Sequence, residues 1–179
     1  MIIINFEETF EPIEVAEDFS SMTFNTVDKL GATVPIKINI TPLESPLLLN
    51  VSNLAFGPLD ADGSINDAAK IPHENPSKAF STILLFCLAY LNQFPDKTIG
   101  LDGSNEVRAY LYHRMFLTNK EYLEEYFVSI GVDWYVKLLR SGDVERDTDG
   151  HPHFKPRPEA FDYTRIRDLY RYYMFHLKQ

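Results

Sequence analysis

The run DKTIGLDGSNEVRAYLYHRMF, residues 96–116, concentrates the residue types most able to do chemistry. Asp102 and Ser104 flank Gly103 in a tight turn, Arg108 lies four residues after Ser104, and Tyr112 four residues after Arg108. On a helix, a spacing of four puts Arg108 and Tyr112 on one face. A strand that ends at such a turn and hands over to a capped helix gathers free backbone N–H groups and the positive end of the helix dipole at one point, and that point attracts anions. The chemistry expected of Asp102, Ser104, Arg108 and Tyr112 is therefore the holding of a phosphate or carboxylate group. The competing reading gives Asp102 and Ser104 turn and cap duties and pairs Arg108 with an acid of the front half. No Gly-x-x-x-x-Gly-Lys surrounds the turn, and no residue is assigned a catalytic role.

Three other constellations contain residue types able to do chemistry. Asp60, Asp62, Asp102 and Asp133 would be a two-metal set if the leading strands, the helix and the following strand took a ribonuclease H-like order. The first strand lacks a central Asp, however, and the helix KAFSTILLFCLAYL carries no carboxylate. His151 and His153, with Asp147 or Asp149 nearby, have zinc-ligand character but lie in a turn-rich stretch that reads as a solvated hairpin. A Ser104–His113 dyad fails on distance, because nine positions along a helix span about 13 Å. The single cysteine, Cys87, sits in an apolar run and reads as buried and inert. No metal and no cofactor are expected.

The last feature is a basic aromatic tail. Residues 151–179 hold six Lys or Arg and three acids in a chain of net charge −9. Arg165, Arg167, Tyr170, Arg171 and Tyr173 are the candidate partner surface, because Arg and Tyr together are typical of interface hot spots. The same aromatics suit a core equally well. The overall charge opposes nucleic acid except through this tail. No apolar run reaches the roughly 18 residues of a membrane span. The N-terminus lacks a basic n-region, and cytoplasm is the expected location.

The elements that position these residues read as an α+β protein: an antiparallel, strand-rich N-terminal half packed against a buried helix and two to three further helices. One domain is expected, divided into a strand-rich front (1–75), a helix–strand–helix core (76–140) and the basic aromatic segment (141–179). MIIINF, SMTFNTVDKL, ATVPIKINI and PLLLNVSNLAF read as strands. Asn75 and Pro76 open a long helix that from Ala79 to Leu91 is apolar nearly all round, broken only by Ser81 and Thr82, and Pro95 stops it. KTIGL is a short strand, Ser104 or Asn105 caps a helix over 106–116, and Thr118 with Glu121 forms a capping box for a third helix. FVSIGVDWYVKLL is a bent strand or strand pair around Gly131, and DTDG is a hairpin tip. The tail YTRIRDLYRYYMFHL fits helix and strand periods alike, and helix is the expected form.

Phe94-Pro95, Gly103-Ser104, Arg108, Leu111-Tyr112, Arg114, Phe127 and Gly131 form a pattern over about residues 76–135 that resembles an uncharacterised bacterial domain-of-unknown-function family. The resemblance implies small cytosolic proteins of unknown activity and favours Arg108 and Tyr112 over their neighbours. The function expected overall is binding to a protein partner or to a second copy through the tail, as an accessory or defence- or mobile-element-associated factor. The rival is an enzyme or binding protein for a phosphate-containing substrate at the Asp102–Arg108 turn.

Overall fold

The structure, a computed structural model, describes residues 1–66, 69, 73–103 and 105–179. Its strands are β1 (Pro12–Val15), β2 (Ser21–Val27), β3 (Thr33–Pro42), β4 (Val51–Pro58), β5 (Thr98–Asp102), β6 (Phe127–Val136), β7 (Phe154–Ala160) and β8 (Tyr172–Leu177); its helices are α1 (Pro76–Gln93), α2 (Glu106–Thr118) and α3 (Lys120–Leu123). The strands form one eight-stranded sheet in the order β1-β2-β3-β4-β5-β8-β6-β7. β4 and β5 run parallel, joined through α1, and the other neighbours are antiparallel. The α+β reading with a strand-rich front holds.

The alternation read in β2 and β3 selects the buried face. Met22 and Phe24 on β2 lie opposite Ile38 and Ile36 on β3 and point with Leu54, Ile99, Leu101, Tyr173 and Phe175 into a core shared with the helices. The other face is polar over β2 and β3. Over β8 and β6 it carries a smaller apolar cluster of Val132, Tyr172 and Met174, covered by Leu48 and Leu43.

α1 starts as expected: the Asn75 side chain accepts from Lys78 N at 2.9 Å, and Pro76 occupies the first turn. α2 is capped by Asn105, whose Oδ1 accepts from Arg108 N at 2.9 Å. The capping box is not used. α2 runs on through Thr118, and Asn119 stands between α2 and α3 with its side chain committed elsewhere.

Two expected elements differ. MIIINF is not a strand but an arm laid over the helices, whose backbone N–H groups are met by side chains. Ile3 N donates to Ser77 Oγ (3.0 Å), Ile4 N to Asn119 Oδ1 (2.8 Å), Asn5 N to Ser81 Oγ (2.9 Å), Phe6 N to the Tyr122 hydroxyl (2.9 Å) and Phe10 N to Thr82 Oγ1 (2.8 Å). This accounts for Ser81 and Thr82 in an otherwise apolar helix: each is buried and still finds a partner. The tail is also not a helix. Its last residues are β8, inserted between β5 and β6, with Tyr173 and Phe175 buried on one face and Tyr172 and Met174 on the other. A strand covered on both faces reads as a continuous apolar run, and periodicity cannot separate that from a buried helix.

β7, in a stretch expected to be turn-rich, is an edge strand carrying Pro156 and Pro158 opposite Trp134 and Val132. Proline has no N–H to give to a ladder, so these positions turn their nitrogen outward and leave the free edge poor in donors. The hairpin tip at Asp147–Gly150 is as expected: Asp147 Oδ1 accepts from Asp149 N and His151 N, and Gly150 has φ +84°. No helix among the described residues is long and apolar enough to cross a membrane.

Candidate functional site

α1 and α2 begin near each other over the β2–β4 part of the sheet, and between them lies a cavity of about 580 Å³. Its floor is Phe24, Ile36 and Phe56 from the sheet, its sides are Phe80 and Ile83 of α1 and Leu111 of α2, and Ile2 of the arm closes one wall. Among the described residues, the polar side chains on this apolar surface are Arg108, Tyr112, Asn105 and His73. Arg108 and Tyr112 reach it together because they are one helical turn apart on α2. Tyr112 is buried with its ring edge-on to Tyr173, at a centroid distance of 5.9 Å, and the Tyr173 hydroxyl donates to the Ala109 carbonyl at 2.7 Å. The α2 face that bears Tyr112 is thus pinned to β8. An apolar pocket of a few hundred Å³ with a few convergent polar groups is the usual form of a small-molecule site.

The predicted quartet separates. Arg108 and Tyr112 line the cavity. Asp102, the last residue of β5, is exposed beside Tyr172 and does not line it. Ser104 lies outside the described residues. Asp102, Arg108 and Tyr112 each take part in further interactions, so none stands free. Sequence spacing does not point to His73 as part of this site. Its Nδ1 lies 3.1 Å from Oγ1 of the fully buried Thr26, and burial lowers its pKa from the ordinary histidine value. The signal available was its place just before the Asn-Pro helix start.

The model of the DUF6934 family, a family of unknown function, matches residues 7–139. The chain belongs to that family. No curated protein and no solved structure matches it. The span matched to DUF6934 contains Arg108, Tyr112 and Gly131 and reaches through β6, while β7 and β8, which complete the sheet, follow it.

In this DUF6934 chain the basic aromatic tail is mostly built into the fold. Tyr170 and Tyr173 are fully buried. Arg165 donates to Asp133 Oδ1 (2.9 Å) and Oδ2 (2.6 Å) and to Glu159 Oε1 (3.0 Å), and its guanidinium lies 3.8 Å from the Tyr170 ring centroid. The hydrogen bond from Arg165, opposed in part by burial, holds the Asp133 carboxyl below the usual range. Burial, with the Glu159 hydrogen bond second, pushes the Tyr170 hydroxyl up to about 12. Of the five residues proposed as a partner surface, Arg167 and Arg171 are exposed. Exposed large apolar side chains lie on the β6–β7 hairpin, at Trp134, Tyr135, Leu138, Leu139 and Phe154, and in the tail at Ile166.

The four aspartates do not assemble as a metal site. Asp133 is committed to Arg165 and Arg157, Asp60 accepts from Asn66, and Asp62 accepts from Ser64. No group of three or more His, Cys, Asp or Glu able to hold a metal occurs among the described residues, and these include His151 and His153. Cys87 is fully buried, and burial pushes its thiol far above the ordinary range. His113 is buried and stacked on Phe161 at 5.3 Å, with neither ring nitrogen in hydrogen-bond geometry. Burial holds it neutral, and the nearby Arg165 carbonyl offsets this only in part.

Proposed function

We propose that the chain binds a small molecule with an apolar body and an acidic head group, with the body on Phe56, Phe80 and Ile83 and the head at Arg108. The observation that carries this reading is that Arg108 and Tyr112 open onto an apolar cavity of about 580 Å³. A space of this size falls in the usual range for small-molecule sites, roughly 300–1,000 Å³. Arg108 offers a planar fork of donors that matches a carboxylate or phosphate, and the α2 N-terminus adds a favourable dipole. The test is fluorescence titration with anilinonaphthalene sulfonate, an aromatic body bearing a permanent anion. Saturable one-to-one binding is expected. Arg108→Ala should weaken it about tenfold, the loss of one charge-assisted contact, and Leu111→Trp should block it by filling the cavity, both with an unchanged circular dichroism spectrum. Equal binding by all three proteins would remove the reading.

A second reading, association with another copy of the chain, is favoured by the apolar residues exposed on the β6–β7 hairpin, where Leu138 is 74% and Phe154 57% exposed. The donor-poor edge of β7 means that side chains, not strand addition, would make the contact. Sedimentation velocity over a wide concentration range should show a concentration-dependent mass that Leu138→Ser with Phe154→Ser abolishes. A single monomeric mass throughout would eliminate this reading.

A further inference from the structure

The cavity holds a second group able to meet an acid. His73 lies in its lining, and Nδ1 is spent on Thr26, which leaves Nε2 as the nitrogen that can meet a ligand. Thr26 belongs to β2 and is fully buried, so the ring is tied to a rigid element. A hydroxyl can donate to Nδ1 or accept from it; the tie to Thr26 therefore accommodates both the neutral and the protonated ring. We propose that His73 is the second head-group donor of this site, so that the protein takes up a proton as it takes up an anionic ligand. The inference rests on the small-molecule reading above and names how that site is regulated.

Among the described residues, the charges around the ring leave room for this role. Asp28, which bridges to His73 through the backbone, turns its carboxylate to its own turn, accepting from Leu30 N and Ala32 N at 2.8 Å. Glu74, the next residue in the chain, is exposed. On α1, Lys78 sits over the Phe10 ring at 4.7 Å. On α2, Arg108 and Tyr112 line the same cavity. Burial lowers the His73 pKa from the ordinary histidine value. Without a bound anion the ring is therefore neutral at neutral pH. An anion bound beside Nε2 places a negative charge next to the ring and favours the imidazolium. Affinity must then rise as the pH falls toward the ordinary histidine range, by up to about tenfold per pH unit when one proton is taken up.

Anilinonaphthalene sulfonate stays ionised throughout this range, so the pH dependence of its binding belongs to the protein. Titrations of the full chain between about pH 8 and pH 6 should show affinity rising at least about fivefold in the wild type and staying flat in His73→Gln. Calorimetry in buffers of different ionisation enthalpy should count close to one proton taken up by the wild type near pH 7 and close to none by His73→Gln. Lower pH is avoided because the folded chain keeps the buried His113 neutral while the unfolded chain charges it below the ordinary histidine value, a loss of stability that both proteins share. Arg108-dependent binding with no pH dependence, or with the same dependence in His73→Gln, overturns the role of His73 and leaves the small-molecule reading standing. An absence of saturable binding at every pH overturns both.

Discussion

Replacing Gly131 by alanine is expected to destabilise the protein by about 3 kcal/mol, the upper part of the range for forcing extra volume into a packed interior. A methyl group built there would sit 2.2 Å from ring atoms of Tyr170. That ring cannot step aside cheaply. It is fully buried, its hydroxyl donates to Glu159 at 2.7 Å and accepts from Asp162 N at 3.2 Å, and Arg165 covers it. Displacing it would break its hydrogen bonds to Glu159 and Asp162 and its contact with the Arg165 guanidinium. For a chain of this size the loss should lower the melting temperature by about 6–12 °C. In a Tyr170→Ala background, itself less stable, the same Gly131→Ala change should cost about 1 kcal/mol or less, because the colliding ring is gone. Equal costs in both backgrounds would show that Tyr170 is not what Gly131 accommodates. Gly100 repeats the arrangement on β5, where an added methyl would meet the Tyr172 ring and hydroxyl. Two of the tail tyrosines thus lie over glycines of neighbouring strands. This is a physical reason for Gly131 to figure in the sequence pattern, and a reason to regard the tail as part of the sheet and not as a detachable contact arm.

The parts of the fold legible in the sequence are those whose signals are local. Asn75-Pro76 opens α1, Phe94 and Pro95 close it, Asn105 caps α2, and the spacing of Arg108 and Tyr112 sets both on the face that meets the cavity. The illegible parts depend on partners distant along the chain. Ile2–Phe10 has the β-branched, apolar composition of a strand, but its hydrogen-bonding partners are side chains of α1, Asn119 and α3, which no periodicity announces. β8 is buried on both faces, so its alternation is hidden. β7 hides behind two prolines that only an edge position tolerates. His73 carries no motif and enters the site because β2 brings Thr26 beneath it. Asp102 shows the opposite failure: it is next to the right turn in sequence, yet β5 delivers it to the sheet end beside Tyr172, away from the cavity.

The arm joins stability to the site, and Asn119 is where the two can be separated. Its Oδ1 accepts from Ile4 N at 2.8 Å, and its Nδ2 donates to the carbonyls of Ile2 (3.0 Å) and Met115 (2.8 Å), all from a side chain that is itself buried. Asn119→Ala would strip a buried N–H of its acceptor and leave the carbonyls of Ile2 and Met115 short of a donor. Orphaned groups of this kind cost about 1–3 kcal/mol each when water cannot replace the partner. Because Ile2 can lift toward solvent, we expect a total of about 3 kcal/mol. Two measurements should move together. Amide exchange at Ile4 should lose its protection, and anilinonaphthalene sulfonate should bind several-fold more weakly because Ile2 no longer closes the cavity wall. Ser77→Ala removes the partner of Ile3 N, an exposed amide that water can satisfy, and should leave both readouts nearly unchanged. If Asn119→Ala melts like the wild type with Ile4 still protected, the arm is held by its buried apolar side chains alone. If stability falls and ligand affinity does not, the arm braces the helices without shaping the site.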